Sequence, residues 1–167
     1  MTEIPFNTLI YVFDLFGTMA FAVTGAFKAI EHKSDIIGIL ILSIITGVAG
    51  GTIRDIIIGR FPPNSISDPW YVGICVASGI TLFFLHPYVK KHWNLFLKFD
   101  AIGLGVFSIT GATFAYNIFG LNFLAITFAG ILTAVGGGAL RDVFVNEIPF
   151  LFVKESCVTA SFVGVLI

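Results

Sequence analysis

Apolar residues fill six long runs of this chain, broken at helical spacing by small and polar residues. In the first run, about 7–30, Asp14, Gly17, Thr18, Gly25 and Lys28 recur at intervals of a turn or two, with Thr24 beside Gly25. That spacing gathers them on one face of a helix. Phe13, Leu15, Phe16, Met19, Ala20, Val23 and Phe27 are left for lipid or neighbouring helices. The second run, about 36–58, carries Ser43, Thr46, Gly47 and the pair Gly50-Gly51. The third is about 70–85. The fourth, about 95–117, has its polar stripe at Asp100, Gly103, Thr110 and Asn117, and the fifth, about 121–145, holds Thr127, Thr133 and Gly136–Gly138. The sixth, about 150–167, has Lys154 and Glu155 in its first turns. Runs of this length predict six membrane-spanning helices.

The connections carry turn chemistry. Glu31 to Asp35 is polar, Pro62-Pro63-Asn64 and Asp68-Pro69 interrupt the chain after the second run, and His86-Pro87 closes the third. Tyr88 to Trp93 is basic and aromatic, as membrane interfaces are. The sequence stops on apolar Ile167, which suggests that a seventh helix follows in the native protein.

The two halves repeat. Setting Asp14 on Asp100 also pairs Gly17/Gly103, Phe21/Phe107, Thr24/Thr110, Gly25/Gly111, Ala26/Ala112 and Ala29/Ala115. One residue of slip then aligns Val48/Val135, Gly50/Gly137, Gly51/Gly138, Arg54/Arg141, Asp55/Asp142 and Pro62/Pro149. The expected organisation is a three-helix unit over 1–86, a basic connection over 87–99 and a second unit over 100–167. An odd number of spans inverts the second unit relative to the first, a plan shared by many transporters.

Composition settles the solvent. The chain is 57% hydrophobic and 11% charged, against about 25% charged residues in soluble domains, and its mean hydropathy is +0.99. The fold class is therefore an all-α membrane protein, with the lipid bilayer as its surroundings. A net charge of −1 excludes the basic footprint of nucleic-acid binding. Cys75 and Cys157 are expected to be inert buried thiols, and His32, His86 and His92 have no partners at metal-ligand spacing. The first run lacks a signal-peptide pattern, so it is expected to be a retained helix. Lys28, Lys33, Lys90, Lys91 and Lys98 fall toward one side, which predicts that side to be cytoplasmic and the N-terminus to be outside. No catalytic constellation or cofactor fingerprint is present, so the chain is read as a non-enzyme without cofactor or metal.

The candidate chemistry is a doubled motif, Gly50-Gly51-Thr52-Ile53-Arg54-Asp55 and Gly137-Gly138-Ala139-Leu140-Arg141-Asp142, with Gly136 extending the second. A charge at the centre of a span costs about 2.5–3.5 kcal/mol on insertion scales. Each arginine is therefore expected to pair with a carboxylate of the adjacent helix at similar depth, Arg54 with Asp14 and Arg141 with Asp100. Asp55, Asp142, Thr24 and Thr110 complete the expected charge network or pore lining. Consecutive glycines weaken a helix by about 1 kcal/mol each, which predicts a bend or local unwinding at Gly50, Gly51, Gly136, Gly137 and Gly138. Close helix packing is the other reading of the same glycines. Lys154 and Glu155 are candidate mouth residues, Lys154 by snorkelling.

Two inverted three-helix repeats, each with a polar first helix (Asp14…Thr24-Gly25 and Asp100…Thr110-Gly111) and a second helix bearing Gly-Gly-x-x-Arg-Asp, resemble the prokaryotic branch of the trimeric intracellular cation channel (TRIC) family. The same sequence family also carries a glycine-uptake label. The resemblance implies a homotrimer with a cation path in each subunit, bounded by the first, second, fourth and fifth helices, and permeant potassium or sodium. It also implies a bacterial or archaeal inner membrane and a seventh helix in most members. A secondary transporter of a small zwitterion such as glycine is the alternative, with an arginine holding a carboxylate and an aspartate an ammonium. A scaffold without transport is the third reading.

Overall fold

Helix boundaries in the computed structural model fall where the sequence supplies caps. The structure describes residues 6–85 and 93–149, with the side chains of residues 6 and 7 outside that description. It contains α1 (Phe6–Glu31), α2 (Ile36–Ile57), a short α3 (Asn64–Ser67), α4 (Pro69–Phe84), α5 (Trp93–Phe119) and α6 (Phe123–Phe144). At the start of α2 the Gly38 N–H donates to Asp35 Oδ1 at 2.8 Å, and at the start of α6 the Ala125 N–H donates to Asn122 Oδ1 at 3.2 Å. Asp68 accepts from the Trp70 N–H, with Pro69 at the first helical position. These side chains satisfy amides that a helix start leaves open.

Helix ends use the left-handed backbone. After α2 and α6, Gly59 (φ +73°) and Asn146 (φ +58°) reverse the chain. The next amides, Arg60 N–H and Glu147 N–H, then donate to Asp55 O at 2.8 Å and Asp142 O at 2.9 Å. This is the Schellman closure, and it occurs at equivalent positions of the two halves.

Among the described residues four helices, α1, α2, α5 and α6, are long and apolar enough to cross a membrane. With 16 residues, α4 extends about 24 Å, short of a hydrocarbon core of about 30 Å. The polarity is inside-out relative to a soluble domain. Asp14, Thr24, Arg54, Asp55, Asp100, Thr110, Arg141 and Asp142 are all buried, while Val12, Phe13, Phe16, Ile109 and Phe128 are exposed. A surface of that kind belongs in lipid. The protein is an all-α, multi-pass membrane protein.

The packing shows the duplication. α1 lies against α2, α5 lies against α6, and the halves meet through α1–α5 and α2–α6, with α4 on the α1/α2 side. Contacts are exchanged reciprocally: a Cβ on Gly17 would sit 2.7 Å from the Phe107 ring, and one on Gly103 would sit 3.1 Å from the Phe21 ring. A Cβ on Gly137 would press on Thr46 O at 2.6 Å, and one on Gly50 would press on Thr133 O. The fully buried rings of Phe21 and Phe107 meet at the centre, 5.3 Å between centroids.

Three expectations are corrected. α-Helix runs unbroken through Gly50-Gly51 and Gly136–Gly138, so of the expected bend or unwinding the unwinding does not occur; Gly50 and Gly137 let α2 and α6 approach backbone to backbone. The connection expected over 87–99 is already helical from Trp93. Lys28 is not at a loop edge but in the last turn of α1 and 6% exposed, so it drops out of the loop-charge count. The sixth expected span, with Lys154, Glu155 and Cys157, lies outside the described residues.

Candidate functional site: two mirrored charge networks

At one end of the bundle α1 begins and α2 and α5 finish; this is the first end. There Arg54, fully buried on the last turns of α2, donates from Nη1 and Nη2 to Asp14 Oδ1 at 2.5 Å and Oδ2 at 3.1 Å. Its Nε donates to Asp55 Oδ1 at 3.0 Å. The remaining Asp55 oxygen accepts the Asn64 N–H at 2.8 Å, which ties α3 to the network. Tyr71 of α4 donates its hydroxyl to Asp14 Oδ2 at 2.8 Å. The Phe114 ring of α5 covers the guanidinium, 4.1 Å from Cζ to centroid.

The second end carries the counterpart. Arg141 Nη1 donates to Asp100 Oδ1 at 2.7 Å and to Thr24 Oγ1 at 2.8 Å, and Nε donates to Asp142 Oδ1 at 2.8 Å. Here the covering ring is Phe96, 4.8 Å from Cζ. Each end therefore holds two carboxylates and one guanidinium. With all three ionised, Asp14 and Asp55 outnumber Arg54 by one negative charge at the first end.

The second glycine of each motif has a separate task. A Cβ on Gly51 or Gly138 would lie 3.6 Å from Nη2 of Arg54 or Arg141, in ordinary contact with the guanidinium that folds back over it. Thr46, Thr133 and Ser108 bond carbonyls one turn earlier in their own helices. Ser43 instead lies between Ala22 O of α1 and Cys75 O of α4, at 2.9 Å from each.

Among the described residues, different side chains mark the two ends. A cavity of about 490 Å³ opens at the first end. Arg60, Asn64, Asp68, Tyr71, Phe114 and Asn117 line it, and Tyr11 on its wall donates to Asp68 Oδ2 at 2.5 Å. Among the described residues Arg60 forms no ion pair; its guanidinium faces the Phe114 ring at 5.7 Å. The second end carries an ion-pair cluster. Lys28 Nζ lies 2.7 Å from Glu147 and 3.3 Å from Glu31, and His32 Nε2 is 3.3 Å from Glu147. Glu31, His32 and Glu147 could together hold a metal ion by distance, but the cation placed among them is the Lys28 ammonium.

The structure thus brings Asp14, Arg54 and Asp55 together at one end and Thr24, Asp100, Arg141 and Asp142 together at the other. Thr110 joins neither network. Sequence reasoning missed Tyr71, the two stacking phenylalanines and the Lys28–Glu147 bridge. Repeat alignment holds a usable signal for one of them: Lys28 and Phe114 are equivalent positions, so one half presents a cation where the other presents a ring.

Removing the Tyr71 hydroxyl tests the first-end network. Tyr71→Phe leaves one buried carboxylate oxygen with a single donor. It is expected to lower stability by about 1.5–3 kcal/mol, the range for hydrogen bonds to charged groups. Thermal unfolding in detergent measures this, and Tyr11→Phe at the cavity wall should cost less.

Comparison with known proteins follows the same lines. A family model described as Glycine transporter matches residues 11–87 and 97–167. A UPF0126 membrane protein of Deinococcus radiodurans is 37% identical over 81% of this chain, which spans only 63% of that relative. The UPF0126 inner membrane protein YadS of Escherichia coli is 34% identical over 93% of this chain and 75% of its own length. Among solved structures, a TRIC trimeric intracellular cation channel orthologue from Rhodobacter sphaeroides superposes with a TM-score of 0.89 at 36% identity, covering 95% of this chain and 81% of that one.

Proposed function

The chain belongs to the glycine-transporter family, and we propose that it works as the structurally similar TRIC proteins are named, as a membrane cation channel. The observation that carries this reading is the excess carboxylate in the buried first-end network, where Asp14 with Asp55 outweighs Arg54. A local field of that sign favours cations in a low-dielectric surround. Both arginines are ion-paired with their own carboxylates, so neither stands bare in the path to repel a cation.

In this reading potassium, and sodium with it, passes through each subunit of a homotrimer between the two three-helix units, 1–86 and 100–167. The N-terminus faces outward across a bacterial or archaeal inner membrane, with Lys33 and Lys98 on the cytoplasmic side. Purified protein in planar bilayers under a potassium gradient is expected to give unitary currents that reverse toward the potassium potential. A potassium/sodium bi-ionic gradient then measures selectivity. Silent bilayers at all voltages count against the channel.

A second reading, uptake of a small zwitterion such as glycine, is favoured by the open cavity with Arg60 free of ion pairs and Asp68 in the same wall. Arg54 and Arg141, the carboxylate grips expected for such a transporter, are already engaged by Asp14 and Asp100. Saturable uptake into proteoliposomes without unitary current, lost in Arg60→Gln, supports this reading over the channel.

A further inference from the structure

The first end holds a cation of its own where the proposed path opens. Its cavity of about 490 Å³ is walled by Tyr11 of α1, Arg60, Asp68, Tyr71 of α4, and Phe114 and Asn117 of α5, so it lies between the two units. Backbone bonds fix where the Arg60 side chain starts. Gly59 turns the chain at φ +73°, and the Arg60 N–H donates to Asp55 O at 2.8 Å. Four residues on, the Asn64 N–H donates to Asp55 Oδ2 at 2.8 Å. Both ends of this turn are therefore tied to the buried Arg54 network. A ring then carries the guanidinium: the Phe114 centroid is 4.1 Å from Arg54 Cζ and 5.7 Å from Arg60 Cζ. Arg60 is exposed, whereas Asp14 and Asp55 are buried, so a cation entering here passes Arg60 before it reaches the carboxylates.

No direct partner cancels this charge. Unlike Arg54 and Arg141, Arg60 forms no ion pair among the described residues. The carboxylate on the same wall is engaged elsewhere: Asp68 Oδ2 accepts from the Tyr11 hydroxyl at 2.5 Å and Oδ1 from the Trp70 N–H at 3.0 Å. Nor is the charge duplicated. The repeat register that sets Arg54 on Arg141 sets Arg60 on Glu147, a residue of opposite sign.

We infer that Arg60 limits cation entry at the first end and so makes the two directions of current unequal. Relative to a neutral side chain, its charge lowers the cation concentration at the mouth about three-fold, the Boltzmann factor of one unit charge about 7 Å away across water. Cations arriving from the second end meet Arg60 only on leaving, so this depletion does not hold them back. The effect belongs to dilute salt, since the screening length is about 30 Å at 0.01 M and about 3 Å at 1 M. This assignment rests on the channel reading and deepens it. The uptake reading makes the opposite demand of the same side chain, because there Arg60 holds the carboxylate of the cargo.

Unitary potassium currents of the full chain test it, in planar bilayers of phosphatidylcholine, whose surface adds no net charge. In symmetric potassium chloride of about 0.01 M, Arg60→Gln is expected to raise the current in one direction about three-fold, and Arg60→Glu about three-fold again. Arg60→Lys should match the parent. That order follows charge rather than size or packing. In about 1 M salt all four proteins should conduct alike. An unchanged dilute-salt current in Arg60→Gln, an equal rise in both directions, or a difference that persists in concentrated salt overturns the assignment and leaves the channel standing. A silent variant beside a conducting parent overturns it as well, because losing a repelling charge cannot close the path. Silence of the parent and every variant overturns the channel reading, and this inference with it.

Discussion

Arg54→Met is expected to cost the folded chain about 3–5 kcal/mol, because it leaves two buried carboxylates without their counter-charge. Asp14 and Asp55 are 1% and 0% exposed, so neither can turn to water without unpacking α1 from α2. Arg141→Met takes the guanidinium away from Asp100 and Asp142 in the same way. Asp100 is the most exposed of these four carboxylates, at 6%, so its loss should lie at the lower end of the range. Arg54→Lys does not rescue fully, because an ammonium cannot span Asp14 and Asp55 with the planar fork that a guanidinium provides. Thermal unfolding and monodispersity in detergent measure all three. If Arg54→Met unfolds within a degree or two of the parent, the buried pair is not holding α1 to α2.

The second large effect is at the α2–α6 crossing, where sequential glycines should behave differently. Gly50→Ala drives a methyl group into the backbone carbonyl of Thr133 and the Phe107 ring, and Gly137→Ala drives one into the carbonyl of Thr46. A carbonyl inside a helix cannot step aside as a side chain can, so the helices must separate, at about 1–3 kcal/mol for overpacking. Gly51→Ala meets only a guanidinium nitrogen at 3.6 Å, and Gly138→Ala meets the Arg141 guanidinium from 3.6 Å and Asp100 Oδ1 at 4.0 Å, all ordinary contacts. They should be neutral, or stabilising by up to about 1 kcal/mol through helix propensity. Stability curves of the four variants decide the point. Equal effects at Gly50 and Gly51 would show that the glycines act through helix flexibility rather than through close approach.

The contrast between neighbouring glycines shows where sequence reading reached its limit. A run such as Gly50-Gly51 announces an exception to helix-forming preference, but unwinding and tight packing both produce that signature. Which applies depends on whether another backbone lies within reach, and here Thr133 O does. The arginines were more legible. Membrane burial of a charge leaves so few solutions that Arg54 and Arg141 could be matched to Asp14 and Asp100 from depth alone. Tyr71, Phe96 and Phe114 were not legible, since an aromatic residue in an apolar run looks the same whether it faces lipid or a guanidinium.

Lys28 shows the same limit from the other side. Its place beside Glu31-His32-Lys33 reads as a loop edge, yet the chain after α6 returns Glu147 to it at 2.7 Å. That return needs Asn146 in the left-handed conformation and α6 packed against α2, neither of which local sequence specifies.

By itself the sequence determined the solvent, the helices, the duplication and the pairing of opposite charges. Each follows from composition, from periodicity or from the cost of an unpaired charge in lipid, and those costs act within a helix or between adjacent ones. Tertiary structure alone decided which glycines touch backbone, which rings cover the guanidinium groups, and that Glu147 returns to Lys28. The halves are alike in their motif residues but differ at Lys28/Phe114 and Arg60/Glu147. Only when α1, α2, α5 and α6 pack together do those differences meet, and the equivalent threonines then receive unequal partners.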